Sequence, residues 1–473
     1  GARITPHARQ QNLKKYNLFI IFVCVRARRQ WGPATDSKTQ RLARHGPSPA
    51  AVPAVKTEKD RLWRNALGFM RTFPDGGLGK YLGVQRKTMA VTPFRIWQPL
   101  CYVGTTSYQD NATVLDRIDN VIRAQCSGHK ATIIVGDQQT FDRMVKLRRA
   151  SPGMYSKVIP FCGEMHFTIH CLHAGWRLYH DKLLKWWVET LNMDGALKED
   201  WTVKNWGYYD DFMMIFVSGF MQWMNAVLPP DDAPDFATCL RDAQRNADLT
   251  CLLHFMYEVG LPYIGLRQLF REQSTPEMRA RSLLYYNMGM HMCRTKKANK
   301  YQYSMLSVHA VFFHRNAIPS LRNIWEHMST VTLRGIPGRH IPLDHLCEKV
   351  NNAAKKMLRG IITVPRLQEL IPCLNFLMPA EAEYLHLTGA HKEDAKCFSG
   401  KAHRAASIRE VVSWLNGVVG EGWQTATSQK GGLTFLWGTH ASDATLPWNL
   451  VAAQHHDWLE HVWKVQHEIE HLD

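Results

Sequence analysis

Ala131-Thr132-Ile133-Ile134-Val135-Gly136-Asp137 is a short apolar run, rich in β-branched residues, that ends in a glycine and an acid. Unbroken apolar character from 131 to 135 suits a strand covered on both faces, and such strands belong to sheets packed between helices. The flanking sequence has the matching pattern. Upstream, Phe94 to Val103 reads as a strand, and Asn111 to Ala124 reads as a helix with Val114, Leu115, Ile118, Val121 and Ile122 on one face. Downstream, a helix from Gln139 to Arg149 stops at Ser151-Pro152-Gly153. Lys157 to Phe161 then reads as another strand, followed by a long helix from Met165 to Leu191. Strands and helices alternating through short connections predict an α/β layer, with residues 131–135 as an interior strand between the other two.

Beyond residue 191 the periodicity changes. Residues 192–335 carry helical apolar spacing, many Met and aromatic residues and few strand-like runs, and read as an all-α insertion. Two glycines and a proline between Arg334 and His340 break that pattern, and a helix is expected from Pro342 to Leu358. Further helices are expected at Ser407 to Val419 and Trp448 to Leu472. The predicted organisation is a basic, unstructured arm (1–55), an α/β unit (56–191), the insertion (192–335), a final core helix (336–365) and a C-terminal helical region (366–473).

The chain has 473 residues, of which 45% are apolar and 21% charged, a balance that excludes wholesale disorder and fibrous repeats. Lys and Arg (58) outnumber Asp and Glu (41), giving a net charge of +17 that favours a polyanionic partner. The first 60 residues, with 12 basic and 3 acidic side chains, hold more than half of that excess. Eleven cysteines without a repeated CxxC pair read as reduced thiols of an intracellular protein, and the basic clusters suit a nuclear location. Leu18 to Val25 is too short to span a bilayer, and Phe212 to Leu228 is interrupted by Ser218, Gln222 and Asn225, so a buried helix is expected there and no membrane partner.

Three clusters could carry chemistry. Asp137 follows a strand, where open α/β sheets place ligands and catalytic groups, and its bland role is to cap the next helix. Glu348, Asn351 and Lys355 recur at i, i+3 and i+7 and so share one helix face. A carboxylate able to ligate Mg²⁺, an amide and a phosphate-holding ammonium form a nucleic-acid-processing surface, against the alternative of a solvated amphipathic face. Cys162, His166, His170 and His173 have helical spacings that permit zinc, but Leu172, Trp176, Leu183 and Leu184 continue the helix as core, so partly buried histidines are the better reading and zinc is not expected. The C-terminal histidines 455, 456, 461, 467 and 471 interleave with apolar residues as in an ordinary amphipathic helix.

Taken together, Ile134-Val135-Gly136-Asp137-Gln138-Gln139-Thr140, Ile159-Pro160 with Gly163 and His166, Asn299-Lys300-Tyr301, and Ile341-Pro342-Leu343-Asp344 with Glu348, Asn351 and Lys355 form a set. Over roughly residues 94–360 it resembles an uncharacterised family of transposable-element-encoded proteins with an RNase H-like core of the DDE transposase type. That resemblance implies an RNase H-like mixed sheet interrupted by a large all-α insertion, with additional C-terminal helices. It also implies DNA as partner, a possible homo-oligomer, and Mg²⁺ or Mn²⁺ held by Asp137 and Glu348 for phosphodiester cleavage or strand transfer. Asn351, Lys355 and His166 would support the site, and Lys355, Lys296 and Lys297 would contact DNA. The sequence separation of 211 from Asp137 to Glu348 would accommodate the insertion. The first acid of such a core is not identifiable: Asp75 sits in a Pro-Asp-Gly-Gly turn and Asp110 directly precedes a helix. A catalytically inactive or domesticated binding module on the same scaffold is therefore the alternative expectation.

Overall fold

The computed structural model describes residues 51–72, 107–125, 132–150, 158–190, 205–228, 234–243, 247–269, 340–357, 364–387 and 401–419, with isolated positions between them at 78, 151, 153–155, 197–199, 201, 284 and 330–331. In chain order these form α1 (Ala51–Thr72), α2 (Tyr108–Gln125), β1 (Thr132–Gly136), α3 (Gln138–Ala150), β2 (Val158–Cys162), α4 (Glu164–Tyr179) and α5 (Lys185–Thr190). There follow α6 (Trp206–Val227), α7 (Phe236–Asp242), α8 (Ala247–Phe255), α9 (Leu261–Leu269), β3 (Thr330–Val331), β4 (Ile341–Pro342), α10 (Leu343–Met357), α11 (Val364–Leu387) and α12 (Lys401–Val419). Two π-helical turns, His180–Leu184 and Met256–Gly260, join α4 to α5 and α8 to α9.

The expected RNase H-like mixed sheet is overturned. The described residues are mostly helical, with only two sheets of two strands each: β1 beside β2 in parallel, and β3 beside β4 antiparallel. The apolar run does form a strand, but Phe94–Val103 lies outside the described residues, and the bulk of the buried apolar surface belongs to helices. α6 explains why. It is apolar on every side, so it must be enclosed by other elements, and Phe212, Met213, Ile215, Phe216, Val217, Phe220, Met221, Trp223 and Met224 are all buried. At roughly 1.5–3 kcal/mol for each fully buried large apolar side chain, this helix contributes more burial than the whole β1–β2 pair.

α1 and α12 pack on α6, and α9 packs on α1, α4 and α6. One apolar cluster runs from Leu62 of α1 through Phe161 at the end of β2 to Leu415 of α12, so the small parallel sheet leans on the helical core. Helix α3 covers the pair; the buried Arg148 donates to the carbonyl of Val158, and Phe141 and Val145 join the main core. Several polar groups inside the core are paired across elements, which offsets the cost of burying them. Asp210 accepts from Tyr263 at 2.5 Å and from Arg267 at 3.0 and 2.9 Å, which ties α6 to α9. Lys59 meets Glu258 at 2.7 Å, which ties α1 to the second π-helical turn.

Two boundaries differ from expectation. The arm predicted to reach residue 55 gives way to α1 at Ala51, because Pro53 falls in the first turn, where its missing N–H costs nothing. The predicted helix from Met165 to Leu191 is present as α4 and α5 but contains the extra residue of a π-helical turn. Among the described residues, one helical run, Leu249–Arg267, is long and apolar enough to cross a membrane, and 83% of it is buried inside the protein. It is a core helix, and no membrane is indicated.

Candidate functional site

β1 and β2 run in register, Thr132 opposite Val158 and Gly136 opposite Cys162, so both strands end at the same level. Gly163 N–H then donates to the Gly136 carbonyl at 2.7 Å, extending the ladder by one bond. Asp137 and the start of α4 therefore emerge side by side at the carboxyl end of the pair. Asp137 is extended (φ −61°, ψ 170°), and its Oδ1 accepts from Thr140 N–H at 2.8 Å. It is the N-cap of α3. The cap engages one carboxylate oxygen and leaves Oδ2 for other partners.

Helix α4 begins differently. Its N-cap is Gly163, which has no side chain to satisfy the first amides. Asp344, the second residue of α10, takes that role from 179 residues away. Its Oδ1 accepts from Met165 N–H at 3.1 Å and its Oδ2 from His166 N–H at 2.9 Å, the two amides that a local cap would take. Glycine is required at 163 for a steric reason as well: an added Cβ would lie 2.6 Å from the Asp344 carboxyl carbon. The negative charge also meets the positive end of the helix dipole.

Asp344 Oδ2 is also 2.9 Å from Nδ1 of His166, with Asp344 nearly sealed and 18% of the His166 side chain exposed. Burial pulls the His166 imidazole down, but the Asp344 carboxylate, with the charges of Glu348 and Asp137 behind it, outweighs burial and holds the ring above its ordinary range. Burial likewise pushes Asp344 up, and the His166 ring and two amides more than reverse it, leaving the carboxyl below its usual range. Cys347, one residue before Glu348, has its thiol pushed up by burial and by the Asp344 and Glu348 charges. Glu348 itself is exposed, one turn along α10 from Asp344.

Of the predicted residues, His166 is held by Asp344, and the charges of two others, Asp137 and Glu348, reach its ring. Asn351 and Lys355 lie on the same helix, α10, while Lys296 and Lys297, Asn299 to Tyr301, Asp75 and the C-terminal histidines lie outside the described residues. Asp110 belongs to a reciprocal cap of α2: Ser107 Oγ accepts from Asp110 N–H at 3.0 Å, and Asp110 Oδ2 accepts from Ser107 N–H at 3.2 Å. Capping is its observed role. The Cys162 to His173 cluster is dispersed: the Cys162 thiol donates to Gln138 Oε1 at 3.5 Å, and the His173 ring rests 4.8 Å from that of Trp201. Among the described residues, no three His, Cys, Asp or Glu side chains form a group ready to hold a metal ion. Asp344, part of Ile341-Pro342-Leu343-Asp344 in the sequence, is the contact residue here to which the sequence pattern assigned no role. The signal for it was a helix opening on Gly163 with no Ser, Thr, Asp or Asn cap.

No family model, no curated relative and no solved structure matches the chain.

Proposed function

We propose that the protein is transposase-like, binding DNA and acting on its phosphodiester backbone at the carboxyl end of β1 and β2. The observation that carries this reading is the placement of Asp137 after β1 beside the start of α4, where Asp344 of α10 lies 2.9 Å from His166 Nδ1 and the charges of Asp137 and Glu348 reach the same ring. A cluster of acids around a single imidazole, within a protein of net charge +17, suits an anionic substrate brought to a site able to move protons and hold a divalent cation. Asp344 is committed to α4 and His166, which leaves Asp137 and Glu348 to hold Mg²⁺ or Mn²⁺. Two carboxylates completed by substrate phosphate oxygens and water is a usual Mg²⁺ arrangement, and these two acids are of the type it needs. When bound, it would supply Lewis-acid stabilisation of charge on the phosphate oxygens. The protein's own groups would position the strand and exchange protons.

A second reading is a nucleic-acid-binding module without cleavage. The absence of a three-ligand group among the described residues favours it. The test is nicking of supercoiled DNA by the purified protein with and without Mg²⁺. Divalent-dependent nicking that disappears in Asp137→Ala and Glu348→Ala is expected. DNA binding that weakens steeply with salt, with no nicking in any divalent ion, would establish the second reading instead.

A further inference from the structure

We infer that Asp344 is a positioning residue that fixes His166 so that its Nε2 becomes the proton-carrying atom of the site, acting on the leaving oxygen of a phosphodiester. The inference rests on the function proposed above and assigns a role to the acid that function does not use. A cap alone needs only the amides of Met165 and His166. Here the Oδ2 that takes the His166 amide also takes Nδ1 of the same residue, both at 2.9 Å, so one oxygen holds the ring to its own backbone. With no room for a Cβ between residue 163 and that carboxylate, and with Asp344 nearly sealed, the carboxylate holds the ring at Nδ1. Nε2, on the far side of the imidazole from Asp344, has no hydrogen-bond partner among the described residues, and the side chain is partly open.

A neutral imidazole in water prefers to carry its proton on Nε2. An Nδ1–H bound to a buried carboxylate inverts that preference and leaves Nε2 as the exchangeable position. The imidazolium then gives its Nε2 proton to the leaving oxygen as the P–O bond breaks and the oxygen of a water molecule bonds to phosphorus. The proton lost by that water passes to solvent, and solvent returns one to Nε2, so the enzyme is unchanged. The carboxylate of Asp344 holds the ring through both protonation states.

Nitrogen-15 NMR of the full chain labelled at histidine tests this without reference to activity, the His166 signals being identified by their loss in His166→Gln. Nδ1 is expected to carry a proton in both the cationic and the neutral form. A neutral form protonated at Nε2 overturns the inference, whether or not any variant of Asp344 folds. In Asp344→Asn the neutral ring is expected to revert toward the Nε2–H form, and retention of the wild-type pattern would count against positioning. With nicking as readout, His166→Gln should lower kcat by about 10²–10⁴-fold with little change in KM for DNA. Unchanged kcat would remove the proton-transfer role. If the wild-type chain shows the Nδ1–H pattern but nicks nothing, the proposed function fails while the positioning stands.

Discussion

Gly163 and Asp344 occupy each other's missing space: one lacks a cap, the other supplies it. In Gly163→Ala the new methyl would meet the carboxyl carbon at 2.6 Å, and an over-packed buried site costs about 1–3 kcal/mol. Urea denaturation should show that loss. Asp344→Ala removes the ion pair and the cap together and should cost roughly 3 kcal/mol. Its pH dependence has a definite sign. His166 is raised in the fold, so its share of the stability is full below the ordinary histidine value of about 6.5 and fades as pH rises through the folded value. Asp344 is lowered, so its share is full above about 3.9 and is lost as pH falls through its own folded value. The gap between wild type and Asp344→Ala, read from unfolding curves, should therefore be widest between about pH 4 and 6.5. Asp137 and Glu348 stood out in the sequence by residue type and spacing, and His166 through the resemblance. Asp344 did not, since the uncapped helix start at Gly163 shows that a partner is needed but not where in the chain it lies.

Helices meet where glycine lets them. Gly219 of α6 faces Val411 of α12, and an added Cβ would lie 2.6 Å from the valine side chain. A Cβ added at Gly68 of α1 would meet nothing within 4 Å. Ala at both positions gains the same helix propensity, so the pair isolates packing. Gly68→Ala should stabilise by about 0.4–1 kcal/mol, and Gly219→Ala should destabilise by about 1–3 kcal/mol despite the better propensity. Thermal melts of the two variants check both signs. At this scale the sequence was informative wherever periodicity was clean, as for α2, α3, α10 and β1. It was silent on the individual helix α11, which runs from Val364 to Leu387 through Pro365, Pro372 and Pro379 within the region expected to be helical, because prolines blur a helix's boundaries. For α1 the signal was present in the spacing of Leu62, Trp63, Ala66, Leu67 and Met70, all buried, but the basic arm before it drew the boundary past its start. The sheet was overestimated because a strand's apolar character reports that it is covered, and helices cover it as well as further strands would.

Across the molecule, acid should be the weak side. Burial pushes His254 down to about 4, with Glu258 partly opposing and Lys59 adding to the fall, so the folded protein keeps this ring neutral. Between pH 6.5 and 4 the unfolded chain takes up the proton that the fold refuses, and stability falls by at most about 3 kcal/mol from this residue. His254→Gln should flatten the loss over that interval in denaturant titrations, and an unchanged slope would place the acid sensitivity elsewhere. The fold has a further consequence in time. The amides at the start of α4 wait for an acid 178 and 179 residues downstream. At a synthesis rate of about 5–20 residues per second, that is an interval of roughly 10–40 s. During that interval the helix end and the His166 ring exist without their carboxylate. The emerging chain has a vacant, positively polarised helix end until Asp344 leaves the ribosome, so the candidate site is completed well after the strands that frame it.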